Sequence, residues 1–185
     1  MPAVFDTFLP TSDVRERHEI VVRAPAELVF QVARRFDMLS VPLVHAIFWL
    51  RAKVMRARHA GQPRLVRLDS ASLVQMGWGV LVEEPGRLFI AGAACQPWRA
   101  DVVFAPVAPA EFAAYAAPDS VKIAWSLETQ PLGAGSTRLA TETRAVGTDA
   151  GARAKFRRYW RWARVGIVAI RWLLLPAIRR EAERA

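Results

Sequence analysis

Hydrophobic and polar residues alternate in short runs through most of the chain, and near its end the pattern changes to a helical repeat. The first alternating run is Glu16–Ala24. Arg17, Glu19, Val21 and Arg23 share one face of a predicted strand, and His18, Ile20, Val22 and Ala24 share the other. The segment Ala24-Pro25-Ala26-Glu27-Leu28-Val29-Phe30 then sets a proline in a first helical turn, with Glu27 beside the positive end of the helix dipole. Leu28, Val29, Val32 and Phe36 continue at helical spacing. A second helix is predicted from Ser40, with Pro42 in its first turn, to about Arg58. It carries Leu43, Ile47, Leu50 and Val54 on one stripe, and Gln62-Pro63 ends it.

Strands dominate the middle. Arg64–Ser70 reads as a short one. Val74, Met76, Trp78, Val80 and Val82 alternate with Gln75, Gly77, Gly79 and Glu83, as in a half-buried strand. Glu84-Pro85-Gly86-Arg87 turns the chain into Leu88–Ala94, and Cys95-Gln96-Pro97 breaks it again before Arg99–Ala105. A short helix is expected near Pro109. Val121, Ile123, Trp125 and Leu127 then alternate with Lys122, Ser126 and Glu128. Gly133-Ala134-Gly135 leads into Thr137–Val146, where Leu139, Thr141 and Thr143 oppose Arg138, Glu142 and Arg144. These runs make about seven strands.

The closing helix is predicted over Asp149–Leu175. At 100° per residue, Phe156, Trp160, Ala163, Ile167, Ile170 and Leu174 fall within about 80°, a stripe to bury. Arg153, Arg157, Arg161, Arg164 and Arg171 occupy the opposite side, but Val165, Val168, Trp172 and Leu175 lie on or beside it. A helix packed on one side only does not need these apolar residues. They point to a second contact with a dimer mate, the short helices or a membrane surface. The least polar run, Val165–Ile178, is too short to span a bilayer and is broken by Arg171 and Pro176.

Composition narrows this picture. At 185 residues, 53% of them hydrophobic and 7 of them Trp, the chain suits one ordered domain. The single cysteine, Cys95, excludes an internal disulfide framework and a cysteine-rich metal site. The segment Met1–Val14 has no basic start and no apolar stretch of the signal-peptide kind, so the expected location is cytoplasmic, with peripheral contact to the inner membrane face as an option. Basicity is local. From Asp149 to Ala185 ten Arg and Lys stand against Asp149, Glu181 and Glu183, which places +7 of the net +9 on this one helix.

Catalytic patterns are absent. No metal-ligand spacing, Gly-x-Ser-x-Gly, Walker loop or dinucleotide fingerprint occurs, so neither metal nor cofactor is expected. Glu142 falls on the outer face of its strand, with Arg144 or Lys122 to pair it. A one-residue slip would turn it inward as a general-base candidate. His45 and His59 read as surface or helix-packing residues. Tyr159, Trp160, Trp162 and Trp172 among arginines would suit nucleic acid, but Phe156 and Trp160 are needed for the core, and the exposed apolar groups favour an anionic membrane surface.

The order of elements is α+β: an opening strand, two shorter helices, a strand series and a long last helix. With the motif Ala24–Phe30 and the arginine- and tryptophan-bearing final helix, it resembles the START-like superfamily, also called SRPBCC. That group includes Bet v 1 relatives, polyketide cyclases/dehydrases and lipid-transfer domains. The resemblance covers about residues 15 to 178, and the domain is taken as 15–180, with 1–14 as an N-terminal extension and 181–185 as a tail. It implies a helix-grip fold, in which a curved antiparallel sheet wraps the last helix around an apolar cavity.

On that fold the inward positions are Ile20, Val74, Met76, Trp78, Val102, Phe104, Ile123, Trp125, Leu139, Phe156, Trp160 and Ile167. His18, Thr141 and Thr143 would form one polar spot, because the first and last strands are neighbours in such folds. The expected ligand contacts are therefore His18, Met76, Trp78, Phe104, Trp125, Thr141, Thr143, Phe156, Trp160 and Ile167. The resemblance implies binding or transport of a hydrophobic molecule, lipid- or polyketide-like. Two alternatives stand beside it. One is a cyclase/dehydratase using His18 with the threonines, or Glu142. The other is a membrane or partner module, homodimeric or lipid-facing, using Arg157, Arg161, Arg164, Arg171 and Trp172.

Overall fold

A computed structural model describes residues 2–57 and 69–185. In chain order the elements are α1 (Pro2–Phe8), β1 (Val14–Val22), α2 (Ala26–Arg35), α3 (Pro42–Met55), α4 (Ser70–Gln75), β2 (Gly79–Glu84), β3 (Leu88–Cys95), α5 (Pro109–Phe112), β4 (Val121–Gly133), β5 (Ser136–Gly147) and α6 (Ala150–Ala182). Among the described residues the strands form one curved antiparallel sheet in the order β1-β5-β4-β3-β2. Its two longest strands meet at Gly133-Ala134-Gly135, where all three residues have positive φ (87°, 47° and 71°), the left-handed backbone that glycine takes without a steric cost.

Period-two patterning decides what each face buries. Ile20, Val22, Phe89, Ala91, Ala93, Leu127 and Leu139 look toward α2 and the last turns of α6, where Val29, Phe30, Leu174, Leu175 and Ile178 complete the main core. The opposite face is also covered. Leu88, Ile90, Ala94, Ala124 and Val146 pack under Phe5, Phe8 and Leu9 of the N-terminal segment and Phe112 of α5. Every residue of β3 is consequently buried, which explains its unbroken apolar run. Residues 2–13 thus act as a lid on the second face, and Val14 already belongs to β1. At the other terminus Ala182 is buried, and the Glu183 carboxylate accepts the Arg23 N–H at 2.9 Å.

Among the described residues five strands, rather than about seven, make the sheet. The expected strand Arg64–Ser70 lies mostly outside the described residues, and its last residue opens α4. Val74 and Met76 are not on a strand either. Asp69 caps α4 by accepting the Ser72 N–H at 3.0 Å, Val74 is exposed, and Met76 ends the helix. Gly77, with φ 98°, then lies so close to the Phe104 carbonyl that an added Cβ would sit 2.2 Å from its oxygen. The alternation Val74-Met76-Trp78 is therefore a helix end followed by a tight turn. A bulge between Val80 and Val82 shifts the register within β2 itself.

Arg99–Ala105 is also not a strand. β2 stops pairing at Gly92, and on the β3 edge beyond it only Ala105 bridges, exchanging two 2.9 Å hydrogen bonds with Ala94. Pro106, which lacks an N–H, follows at once. Val102 and Phe104 belong to this irregular segment.

The last helix does not stop before Pro176. A proline inside a helix costs about 3 kcal/mol, yet the buried Leu174, Leu175, Ile178 and Ala182 hold α6 together across it. Helix α3 departs from expectation in the other direction. Val44 is its one fully buried residue, while Leu43, Leu50 and Val54 of the predicted buried stripe are exposed. It meets α6 where Ile47 lies against Gly166, at 3.2 Å from the position a Cβ would take. No described helix is long and apolar enough to cross a membrane.

Candidate functional site

The sheet register brings His18 opposite Thr141, and Thr143 stands between Glu16 and Trp125 on its two neighbouring strands. All five side chains share the face beneath α6 because their parity matches that of the buried Val22 and Leu139. Arg171 joins them from above, its Nη2 donating to Thr143 Oγ1 at 2.8 Å. The Trp125 indole N–H donates to Thr141 Oγ1 at 2.7 Å, and that hydroxyl donates to the Ser126 carbonyl at 2.9 Å. Glu16 is held by Arg164 at 2.6 Å and stands 3.9 Å from His18 Nε2, too far for a hydrogen bond.

Two groups in this cluster are under-supplied with partners. Arg171 has five N–H donors, and its bond to Thr143 is the one hydrogen bond it makes among the described residues, where it has no ion pair. Burial pushes its guanidinium down to about 10. His18 Nε2 is buried with no hydrogen bond from the protein. Burial lowers the imidazole below its ordinary range, the Arg171 charge lowers it further, and Glu16 partly opposes both, so it is neutral at pH 7. Of the four buried side-chain nitrogens without a partner among the described residues, three (on His18, Trp78 and Arg34) lie on this side of the sheet, and the fourth, Arg144 Nη2, lies on the other. Unpaired polar groups of this kind are rare in native interiors and ask for an explanation.

The other expected contacts lie in the same layer but apart from the cluster. Trp78 and Phe104 meet at 5.3 Å, their rings tilted by 41°, at the β2 side of the sheet, and Met76 packs against the same core. Phe156 and Trp160, 5.7 Å apart, cover Val121 and Ala145 with Ile167 near the start of α6. Arg171 corrects an expectation, since it turns under the helix instead of facing outward. Its angular position, only about 40° from Ile167 on the helix, already carried that signal. Arg157 and Arg164 are engaged by Asp13 and Glu16 of the β1 side, whereas Arg161 and Trp172 remain outward. Glu16, which shares parity with His18, was missed.

Glu142 stands on the opposite face. There Arg144 at 2.6 Å, Arg15 at 2.8 Å and Arg17 at 3.3 Å surround it, and Arg144 also binds Asp6 of α1 and lies over the Phe5 ring. Burial alone would raise its carboxyl, but the hydrogen bonds and charges of Arg144 and Arg15 hold it below the usual range. Elsewhere, burial pushes the Cys95 thiol up to about 12 despite the nearby Arg51 charge, so it is inert. Among the described residues no three His, Cys, Asp or Glu side chains gather as a metal site. Two open depressions, about 250 Å³ beside Cys95 and Tyr115 and about 420 Å³ between Val41 and Ala177, include no residue of the polar cluster.

No protein-family model matches the chain, and no curated protein matches its sequence. Three solved structures align over most of its length. A Deinococcus radiodurans protein is 14% identical, with 83% of this chain and 99% of that one covered at a TM-score of 0.33. The Zhui aromatase/cyclase of a Streptomyces species is 15% identical, covering 92% and 94% at 0.32. A hypothetical protein of Helicobacter pylori is 10% identical, covering 96% and 90% at 0.36. So little of the backbone superposes at these scores that the likenesses assign nothing to this chain.

Proposed function

We propose that this chain is a helix-grip protein that binds an apolar small molecule, lipid- or polyketide-like, with an anionic or carbonyl end held at Arg171 and His18. The observation that carries this reading is the Arg171 guanidinium, half-buried beneath α6 with the Thr143 hydroxyl as its one hydrogen-bond partner among the described residues. Charge in such a place is costly unless it is paired, and ligand oxygens would complete its donor set. His18 Nε2 offers a further polar contact beside it. Trp125, Ile20 and Ile170 supply apolar walls. Neither surface depression reaches this spot, so binding on this reading moves side chains, Arg171 and Trp125 first.

Tryptophan fluorescence titrations with medium-chain fatty acids and aromatic carboxylates test it, paired with mass spectrometry of whatever denatured protein releases. Arg171→Leu is expected to weaken binding at least about tenfold, the worth of one charge-assisted hydrogen bond, while His18→Ala weakens it less. Equal affinity in wild type and Arg171→Leu would sink the proposal, as would a protein that binds no member of the panel.

A further inference from the structure

Helices α3 and α6 each keep an exposed apolar strip that none of the described residues covers. On α3 it is Leu43, Leu50 and Val54, and on α6 it is Trp162, Val165 and Trp172, exposed from 44% (Trp162) to 73% (Val165). The two strips adjoin. On α6, Trp162, Val165, Ala169 and Trp172 fall within about 80° of one another, directly beyond Gly166 when counted outward from the buried stripe. On α3, Leu43, Leu50 and Val54 fall within about 40°, directly beyond Ile47. Ile47 and Gly166 are where the helices touch, so the strips flank one seam and make a single face.

The charge around this face has one sign. Neither α3 nor the stretch of α6 from Ala150 to Arg180 contains an acidic residue. Lys53, Arg158 and Arg161 are exposed around it, and neither Arg158 nor Arg161 forms an ion pair among the described residues. Lys53 lies 4.9 Å over the ring of the exposed Trp49.

Charge decides the occupant. A second copy docked face to face would oppose the same cations across a dyad, on chains that each carry a net +9. Nucleic acid would match the cations but not exposed leucine and valine, which neither stack on bases nor bind phosphates. A bilayer with anionic headgroups matches all three features, since aliphatic groups enter the acyl boundary, indoles prefer the interface, and arginine and lysine reach headgroup phosphates. We propose that the α3–α6 seam is the surface by which this protein seats on an anionic bilayer, lying on it without crossing. This face stands apart from the cluster of His18, Thr141, Thr143 and Arg171, none of which belongs to it.

The test uses the full chain with phosphatidylcholine vesicles, with and without phosphatidylglycerol, read by co-sedimentation and by quenching of tryptophan fluorescence with brominated lipid. Binding is expected with phosphatidylglycerol, accompanied by quenching, and weakening as salt is added. Leu50→Glu combined with Val165→Glu should lower partitioning at least about tenfold, as expected for placing two charges at the acyl boundary. Arg158→Glu with Arg161→Glu should remove the preference for phosphatidylglycerol. Val103→Glu, exposed on the loop before α5, should change neither. The altered positions are exposed, and thermal melting confirms that each variant is folded. Quenching in the unaltered protein needs no variant at all. No binding to phosphatidylglycerol vesicles overturns the proposal, and so does binding without quenching or binding unaffected by Leu50→Glu/Val165→Glu. A self-association that those substitutions abolish, with no lipid binding, makes the face a dimer interface and overturns it as well.

Discussion

Strand β5 carries polar side chains on both of its faces, and the two sets are finished differently. Under α1, Glu142 and Arg144 are almost fully buried, yet Asp6, Arg15 and Arg17 balance them into a network of alternating charge. Under α6, Thr141 and Thr143 are equally buried, but the charge brought to them, Arg171, has no counter-ion among the described residues. The threonines are buried as deeply as the ion pair, but Arg171 is only half-buried and has no charge to meet it among the described residues. A closed network holds a fold in one arrangement. A half-buried cation left open either costs stability to no end or awaits something from outside.

Substitutions on the two faces should therefore differ in sign. The largest effect is expected from Arg144→Ala, which removes the centre of the closed network and leaves Glu142 and Asp6 without it. Urea unfolding should show a loss of about 3 kcal/mol, and a loss within experimental error would mean that Arg15 and Arg17 suffice. Arg171→Leu should do the reverse. Exchanging an uncompensated charge for an apolar side chain is expected to leave the unfolding midpoint unchanged or to raise stability by about 1 kcal/mol. A clear destabilisation would show that Arg171 is structural, and the two faces would then be alike.

Acid sharpens the contrast. Because Glu142 is held below the usual carboxylate range in the fold, its contribution is complete above the ordinary glutamate value of about 4.3 and is lost as pH falls through its lowered folded value. Between about pH 4 and the acid transition, wild type should lose more stability than Glu142→Gln. His18 gives the smallest effect. Its folded value is lowered, so its contribution is complete above about 6.5 and declines as pH drops from there toward that folded value. Its imidazole titration followed by NMR should move upward in Arg171→Leu, since the charge that adds to burial in holding it down would be gone. An unmoved titration would separate His18 from Arg171 electrostatically.

Much of the site was legible because strand parity is robust. The placement of His18, Thr141 and Thr143 on one face followed from alternation alone, and the register pairs His18 with Thr141 directly. Turns were legible where Gly or Pro imposed them, as at Gly133-Ala134-Gly135 and at Pro25. What failed was alternation too short to be a strand. Val74, Met76 and Trp78 keep period two only because a helix ends at Met76 and the chain turns at Gly77, and Val102 and Phe104 keep it within an irregular segment. The lid of Phe5, Phe8 and Leu9 was read as an extension, although the wholly apolar β3 already implied a second buried face. Arg171 was misplaced because a charged type was weighted above its angular position, and long guanidinium arms reach across such boundaries.

Cys95 has a practical consequence. The chain has one thiol, buried on β3, and with its proton held up to about 12 its thiolate fraction near pH 7.5 is on the order of 10⁻⁴ or less. Maleimide and methanethiosulfonate reagents will find it slow to react in the folded protein. A new cysteine at Trp172 or Val103 can then be labelled selectively in the otherwise native chain. A spin label at the first position would report its depth against a lipid-soluble relaxation agent, with the second as its aqueous reference.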